Sequence, residues 1–187
     1  EAGVSFRNYA HSACIPLDID PEPFVSARRL TTCRDSHVSV AADPADYDLI
    51  FLGASWIDYA RNGQKNGTDL SIELRSYVQR VTDSGARVVL MDTVPIQTGV
   101  DPRCGQKALK LDVRDCASEG VERSEPEFTA ELRKFAEDVP NVSFLSLRDV
   151  ICEGVSCPAH DTDGTSLYFD RSHLSAEGSW RTGRRLQ

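Results

Sequence analysis

The 187-residue sequence lacks several features, and each absence excludes a class of protein. No apolar run approaches the length of a membrane-spanning helix, and the amino end has no signal-peptide pattern. The 21 Lys and Arg are outnumbered by 29 Asp and Glu, and the net charge of −8 argues against nucleic-acid binding. No dinucleotide loop, phosphate loop or metal-ligand cluster occurs, so we expect no cofactor and no metal.

What the chain does have is six cysteines, in three pairs that are close in sequence. Each pair lies in or beside a connection rich in Pro, Gly or Asp. No Cys-x-x-Cys pair occurs, and histidines lie near only some of the cysteines, so a zinc site has little support. We predict three local disulfides and an oxidising compartment, although the sequence does not fix the pairing. The close pairs are Cys14 and Cys33, Cys104 and Cys116, and Cys152 and Cys157.

Strand-like and helix-like patterns alternate along the chain. Apolar runs typical of buried parallel strands occupy 48–53, 86–92 and 141–147, with a looser fourth candidate at 4–9. Apolar residues at helical spacing predict helices over 69–83, 124–138 and from Ser175 to the end. This alternation predicts an α/β fold of the doubly wound type, in one domain over 1–187.

Sites in this fold class form beyond the carboxyl ends of the strands. The stretch 53–56 lies at such an end, and 93–95 lies at another. We expect both to share one edge of the sheet with the turn that holds Asp170 and His173. The connection from Pro95 to Gly120 is long and irregular, and a Cys104–Cys116 bridge would order it.

Residues 168–178, Tyr-Phe-Asp-Arg-Ser-His-Leu-Ser-Ala-Glu-Gly, carry the clearest chemical signal. Asp170 precedes His173 by three residues, and a Leu-Ser helix start follows. A tight turn here lets the imidazole take a proton from a nucleophile while the carboxylate orients the ring. The alternative is that His173 only caps the terminal helix.

These pieces resemble the SGNH (GDSL-like) hydrolase superfamily, and most closely the periplasmic SGNH domain fused to acyltransferase-3 type O-antigen and polysaccharide O-acetylases. The stretch 11–17, with Cys33 on a following helix, resembles the family's Ser-Gly-Cys-Pro-Pro stretch and its cysteine partner. The stretch 48–56 resembles a strand ending in a small-residue turn and a Trp, and 151–175 follows the closing pattern. The resemblance implies a three-layer α/β/α sandwich with a parallel, flavodoxin-like sheet.

The resemblance also implies roles for individual residues. His173 would be the general base and Asp170 its orienter. Ala13 would donate its N–H to an oxyanion if the backbone tolerates a Cβ there, and the turn from Gly53 to Ser55 would supply a second donor. Ser55 equally fits a turn-forming serine, and Trp56 fits either the acyl or sugar pocket or the core.

The nucleophile of this family sits in a Gly-Asp-Ser turn after the first strand, and no such block occurs here. We expect the chain to begin about one strand–turn–helix unit too late, so that the serine lies upstream of Glu1 and the first strand is missing. Ser36, in Arg34-Asp35-Ser36-His37, is a weak alternative because 21–40 is predicted to be helical and a nucleophile needs a strand-to-helix turn. Ser12 is another. We expect His11, His37 and His160 to be ordinary surface or loop histidines.

Two functions follow from these observations. The first is an SGNH-type O-acyltransferase or esterase that acts on acyl, in particular acetyl, esters of cell-surface carbohydrate through an acyl-serine. The second is a non-catalytic glycan-binding or acceptor-positioning module of a membrane acyltransferase, favoured by the missing serine block and by Ala13 and Ser55. A purely structural role ranks last. The resemblance implies a carbohydrate acceptor, an acyl donor, an N-terminal membrane acyltransferase domain in the same polypeptide and no nucleic acid. It also implies a periplasmic location tethered to the inner membrane.

Overall fold

The computed structural model describes residues 3, 5–40, 44–97, 120–121, 126–154 and 156–186. The chain divides into two compact units, which are described separately below. The first unit comprises Glu1–Met91 and Glu127–Phe144, and the second comprises Asp92–Pro126 and Leu145–Gln187. No helix among the described residues is both long and apolar enough to cross a membrane.

The described strands form one parallel sheet and one small antiparallel pair. They are β1 (Leu49–Gly53), β2 (Arg87–Met91), β3 (Gly120–Val121), β4 (Val142–Leu145) and β5 (Ser156–Cys157). The larger sheet has the order β1-β2-β4, with β1 and β2 parallel and Gly53 opposite Met91. Strand β4 is also parallel to β2, because Val88 N–H donates to Asn141 O and Asp92 N–H donates to Leu145 O. The predicted α/β fold with a parallel sheet is therefore confirmed.

Six α-helices lie in the described part of the chain. They are α1 (Ala27–Val40), α2 (Trp56–Lys65), α3 (Leu70–Asp83), α4 (Glu127–Asp138), α5 (Leu147–Ile151) and α6 (Ala176–Arg185), with a 3₁₀ turn at Pro44–Asp46. Short polar side chains cap three of them at the N-terminus, as elementary helix chemistry favours. Asp69 accepts from Ser71 N–H, Ser146 from Asp149 N–H, and Ser175 from Gly178 N–H.

The first unit is built around an apolar core. Helices α2, α3 and α4 bury one face each against the sheet, because their apolar residues recur at helical spacing. The buried side chains include Phe24, Trp56, Leu70, Leu74, Val78, Val88, Leu90, Leu132 and Phe135. A disulfide between Cys14 and Cys33 joins the segment before α1 to the helix itself. Both cysteines are buried.

The second unit has shorter elements and more irregular chain. A second disulfide closes the short loop from Cys152 to Cys157. Arg181 of α6 forms ion pairs with Asp161 at 2.8 Å, Asp163 at 2.9 Å and Glu177 at 2.8 Å, which fasten the 161–165 loop to the helix. Leu167 and Tyr168 are buried, and the backbone of Leu167 approaches Gly178 so closely that a Cβ at that position would collide with its carbonyl group.

The structure corrects several sequence-based expectations. Residues 5–9 are exposed and belong to neither helix nor strand, so the fourth candidate strand is wrong over the part described. Among the described residues, no backbone hydrogen bond pairs this segment with another strand, and Phe6 is 75% exposed. The helix predicted over 21–40 begins only at Ala27, and Pro23 explains part of the difference because it disfavours the helical conformation of Glu22.

Two further differences concern β1 and its connection to α2. Strand β1 was predicted to be buried, but Leu49 is 39% and Phe51 50% exposed, and only Leu52 of the strand is buried. Helix α2 was not predicted, although Trp56, Tyr59 and Gly63 recur at helical spacing. Cys104, Cys116, Ser124 and most of the connection after Pro95 lie outside the described residues, so the third disulfide stays a prediction.

Candidate active site

The turn at 169–173 brings the predicted acid–histidine pair together. Both carboxylate oxygens of Asp170 lie close to His173 Nδ1, Oδ2 at 2.8 Å and Oδ1 at 2.9 Å. Asp170 Oδ1 also accepts the backbone N–H groups of Ser172 at 2.8 Å and His173 at 2.9 Å. Phe169 N–H donates to His173 O at 2.8 Å and closes the turn. The local chain therefore forms this pair through its own short-range hydrogen bonds.

The same contacts determine the charge of the carboxyl group. The pKa of Asp170 is lowered from 3.8 to about 2, first because Ser172 N–H donates to the carboxylate and next because His173 does. Asp170 is thus ionised at neutral pH. An ionised acceptor holds the Nδ1–H tautomer of the neutral imidazole, which leaves a lone pair on Nε2.

His173 has the accessibility that a general base needs. Its side chain is 74% exposed, and that of Asp170 is 44% exposed. Among the described residues, no hydrogen bond or ion pair uses His173 Nε2. The ring also does not cap α6, because Ser175 does so through its hydroxyl. The geometry therefore fits proton transfer at Nε2 better than the capping alternative.

Ala13 has the backbone conformation of a specialised turn residue. Its φ of 60° lies in the left-handed region, which costs a residue with a Cβ roughly 1–2 kcal/mol. The turn is closed by Cys14 N–H donating to His11 O, and the Cys14–Cys33 disulfide follows directly. In the described part of the chain, the N–H of Ala13 has no hydrogen-bond acceptor. The backbone does tolerate the Cβ, and the N–H is available as a donor.

The residues after β1 are less suited to the roles that the resemblance implies. Ser55 is the N-cap residue of α2, and its hydroxyl donates to Asp58 Oδ2 at 2.8 Å instead of standing free. Trp56 is 1% exposed, and its indole N–H donates to Met91 O at 2.7 Å. Trp56 therefore belongs to the core, as the second of its two interpretations held. Gly53 ends β1, with its missing Cβ at ordinary contact distance from Met91.

The remaining serine and histidine candidates lie in different settings. Ser36 is inside α1, with no strand-to-helix turn to expose its hydroxyl, and Ser12 is exposed in the turn before Cys14. His37 lies 2.9 Å from Ile15 O through Nε2. His160 lies outside the helices and strands, which fits the loop setting expected for it, and its Nδ1 is buried without a partner among the described residues.

His11 lies near two sulfur atoms but not in a metal site. Its Nδ1 is 2.9 Å from Cys14 Sγ, and Cys33 Sγ is also within reach. Both sulfur atoms are already bonded to each other in the disulfide. They are therefore not thiolate ligands, and His11 alone does not hold a metal.

The candidate residues fall in separate units. Asp170 and His173 belong to the second unit, whereas Ala13, Gly53, Ser55 and Trp56 belong to the first. Their convergence on one site stays a prediction. Sequence reasoning missed two polar residues that are buried in the second unit, Asp92 and Gln97. The signal available for Asp92 was a polar residue directly after the apolar strand β2, whereas Gln97 lies six residues beyond that strand and gave no such signal.

Asp92 supports the helix that follows β4. Its carboxylate accepts Leu147 N–H at 2.6 Å and the Ser146 hydroxyl at 3.3 Å, at the start of α5. Burial raises the pKa of Asp92 to about 6, against the opposing effect of these hydrogen bonds. Asp92 therefore holds the N-terminus of α5 with a carboxyl group that titrates near neutral pH.

Comparison with known proteins gives a family match over the whole chain. The model of the family described as SGNH domain (fused to AT3 domains) matches residues 1–187. No curated protein matches the chain. A similar solved structure is the periplasmic domain of a lipopolysaccharide acetyltransferase from Salmonella ser. Paratyphi A, with 15% sequence identity and a TM-score of 0.56. The match covers 91% of this chain and 66% of that one, and at this identity it shows the fold alone.

Proposed function

This chain belongs to the family of SGNH domains fused to AT3 domains, and we propose that it transfers or hydrolyses acyl groups on a cell-surface carbohydrate through an acyl-serine. The observation that carries the proposal is the Asp170–His173 pair. An ionised carboxylate holds Nδ1 at 2.8 Å, and the exposed ring leaves Nε2 without a partner among the described residues. This is the arrangement of a general base with its orienting acid.

The first half of the reaction forms the acyl-enzyme. Nε2 of His173 removes the proton of a serine hydroxyl while the serine oxygen attacks the carbonyl carbon of the acyl donor. The carbonyl oxygen becomes an oxyanion, which hydrogen-bond donors of the site would stabilise. As the tetrahedral intermediate collapses, the bond to the leaving oxygen breaks, and the imidazolium returns its proton to that oxygen. Asp170 stabilises the imidazolium and keeps its own negative charge.

The second half releases the acyl group. A hydroxyl group gives its proton to Nε2 and attacks the acyl-serine, and the serine oxygen leaves with the proton from the imidazolium. A carbohydrate hydroxyl makes the reaction a transfer, and water makes it a hydrolysis. The serine is not assigned to a position, because Ser12 and Ser36 do not lie in a strand-to-helix turn. The acyl donor would come from the AT3 domain to which the family is fused.

An extracytoplasmic location is part of the proposal. Two disulfides lie among the described residues, and disulfides persist in oxidising compartments. The solved neighbour is described as a periplasmic domain, and the family is one fused to AT3 domains. We propose that the domain works in the periplasm, tethered to the inner membrane through the AT3 domain.

A matched pair of substitutions tests the base. His173→Gln keeps a side-chain donor for Asp170 but cannot accept the proton, so kcat for acyl transfer should fall by about 10²–10⁴ in the full-length protein. His37→Gln serves as the control. His37 of α1 contacts Ile15 O, and glutamine keeps a donor for that carbonyl. Unchanged transfer by the His173 variant would overturn the proposal.

One observation favours the second candidate function, a non-catalytic glycan-binding module. The Ser55 hydroxyl is occupied by Asp58, so the turn after β1 lacks the free side-chain donor expected of an oxyanion hole. Saturable glycan binding by wild type and His173→Gln alike, with no labelling by a fluorophosphonate, would select this function. The coding DNA upstream of Glu1 gives a second test. A strand followed by Gly-Asp-Ser supports the enzyme, and its absence supports the binding module.

A further inference from the structure

Gln97 links the acid–histidine turn to the second disulfide loop. Its backbone N–H donates to Arg171 O at 2.8 Å, in the middle of the turn at 169–173. Its side-chain Nε2 donates to Cys157 O at 3.1 Å. Cys157 is fully buried and is bonded to Cys152. Gln97 therefore contacts both the turn at 169–173 and the Cys152–Cys157 loop, and all three lie within the second unit.

The link matters because the turn has little else to hold it. Asp170 and His173 are largely exposed, and their hydrogen bonds run within the turn itself. Among the described residues, the bond from Gln97 N–H is the one hydrogen bond that joins residues 169–173 to a segment outside 166–175. Local bonds shape the acid–histidine pair, whereas Gln97 fixes where that pair sits relative to the loop.

The burial of Gln97 is itself informative. The residue is 1% exposed, and its Oε1 has no partner among the described residues. Burying an unpaired amide oxygen costs free energy, which an apolar side chain of similar size would avoid. The side-chain amide of Gln97 therefore adds little to overall stability. Its role is to hold the segment in a defined position. A preorganised site needs that kind of support behind its reacting groups.

We propose that Gln97 is a positioning residue, which holds the Asp170–His173 turn in register with the Cys152–Cys157 loop. Its catalytic consequence rests on the function proposed above, but the structural link does not. Without the side-chain bond to Cys157 O, the segment at 97 loosens and the turn moves with it. A small displacement of a general base is enough to slow proton transfer strongly. The disulfide then supports catalysis through Gln97.

Amide hydrogen exchange on this chain tests the link itself. Gln97→Met removes the side-chain donor at nearly constant volume. The backbone amides at position 97 and of Phe169 should then exchange at least about tenfold faster. The amide of Val88 in β2 should keep its rate. The control is Gln79→Met, at an exposed position in α3 where the amide nitrogen donates to Asp83 Oδ1. Unchanged exchange at Phe169 would overturn the proposal. If Gln97→Met does not fold, Gln97→Asn, which is too short to reach Cys157 O, replaces it.

Kinetics on the full-length protein separate positioning from simple stability. Gln97→Met should lower kcat at least about tenfold and leave KM for the acyl donor within about twofold, at a temperature where the variant is folded. Replacing both Cys152 and Cys157 with serine should lower kcat similarly, and the combined variant should be no worse than either, because both act through one contact. The positioning role would be overturned if the two effects on kcat added fully in the combined variant. It would also be overturned if Gln97→Met exchanged faster while its kcat stayed unchanged. If His173→Gln also leaves transfer intact, the proposed function fails and the exchange result still stands.

Discussion

The two units of the chain are stabilised in different ways. The first unit buries a continuous apolar core between the sheet and helices α2, α3 and α4. Each unit has one disulfide among the described residues, but the second relies more on specific polar contacts, the Arg181 ion pairs and the buried side chains of Asp92 and Gln97. Apolar burial tolerates small movements, whereas hydrogen bonds and ion pairs fix direction. The acid–histidine pair lies in the second unit, whose directional contacts fix the positions of the groups that they join.

The largest predicted effect is at the contact between Gly178 of α6 and the backbone of Leu167, which precedes the turn at 169–173. Gly178→Ala should lower the free energy of unfolding by about 3 kcal/mol or more, because the new Cβ collides with the backbone carbonyl of Leu167, and a backbone group cannot rotate away as a side chain can. Urea unfolding measures the loss. The control lies in the same helix at Gly183, where a Cβ meets nothing, so Gly183→Ala should stabilise the protein by about 0.5–1 kcal/mol.

Equal effects of the two glycine substitutions would contradict this account of how α6 packs. In the first unit, a Cβ at Gly63 would meet the Phe24 ring at 2.7 Å and Thr68 O at 2.8 Å, a milder approach than at Gly178. The obstacle is therefore a rigid backbone group in the second unit and partly a movable side chain in the first.

The next effect concerns the pH dependence that Asp92 gives the second unit. Its pKa is raised to about 6 in the folded protein, so its contribution to stability is present below the ordinary value of 3.8 and is lost as the pH rises through 6. Asp92→Asn keeps an acceptor for Leu147 N–H but cannot ionise. At pH 7 the variant should therefore be more stable than wild type by about 1–2 kcal/mol, with no difference near pH 4.

A carboxyl group with the opposite shift provides the control. The pKa of Asp163 is lowered to about 2, chiefly because Thr165 N–H donates to it. Its contribution is present above the ordinary value of 3.8 and lost as the pH falls through 2, so Asp163→Asn should destabilise at pH 7. Urea unfolding across the pH range checks both signs. If the difference in free energy of unfolding between Asp92→Asn and wild type did not change with pH, Asp92 would not titrate as described.

The smallest effect is at the ion-pair cluster of α6. Lysine has a single ammonium group and cannot reproduce the contacts that the Arg181 guanidinium makes with Asp161, Asp163 and Glu177. Arg181→Lys should lower the melting temperature, and the loss should shrink at high salt, since these side chains are partly exposed and screened. Arg184→Lys on the same helix should change nothing, because Arg184 forms no ion pair among the described residues. A salt-independent loss would point to packing instead of charge.

The sequence predicted those parts of the fold and site that depend on residues close together in the chain. The Asp170–His173 pair needs only a turn of four residues, and β2 and α3 have strong, regular apolar patterns. Contacts between distant residues could not be predicted. Gln97 meets Cys157 across 60 positions, and Asp92 meets Leu147 across 55. Whether Trp56 faces the core or a pocket likewise depends on helix α2, which the sequence pattern did not predict.

We propose that His173 activates a serine, and fluorophosphonate labelling of the full-length protein measures this activation, because the reagent reacts with a serine only when a base removes its proton. We expect labelling at a serine in wild type and in His37→Gln, and labelling slower by about 10²-fold or more in His173→Gln. If His173→Gln is labelled at the same rate as wild type, the imidazole is not the base.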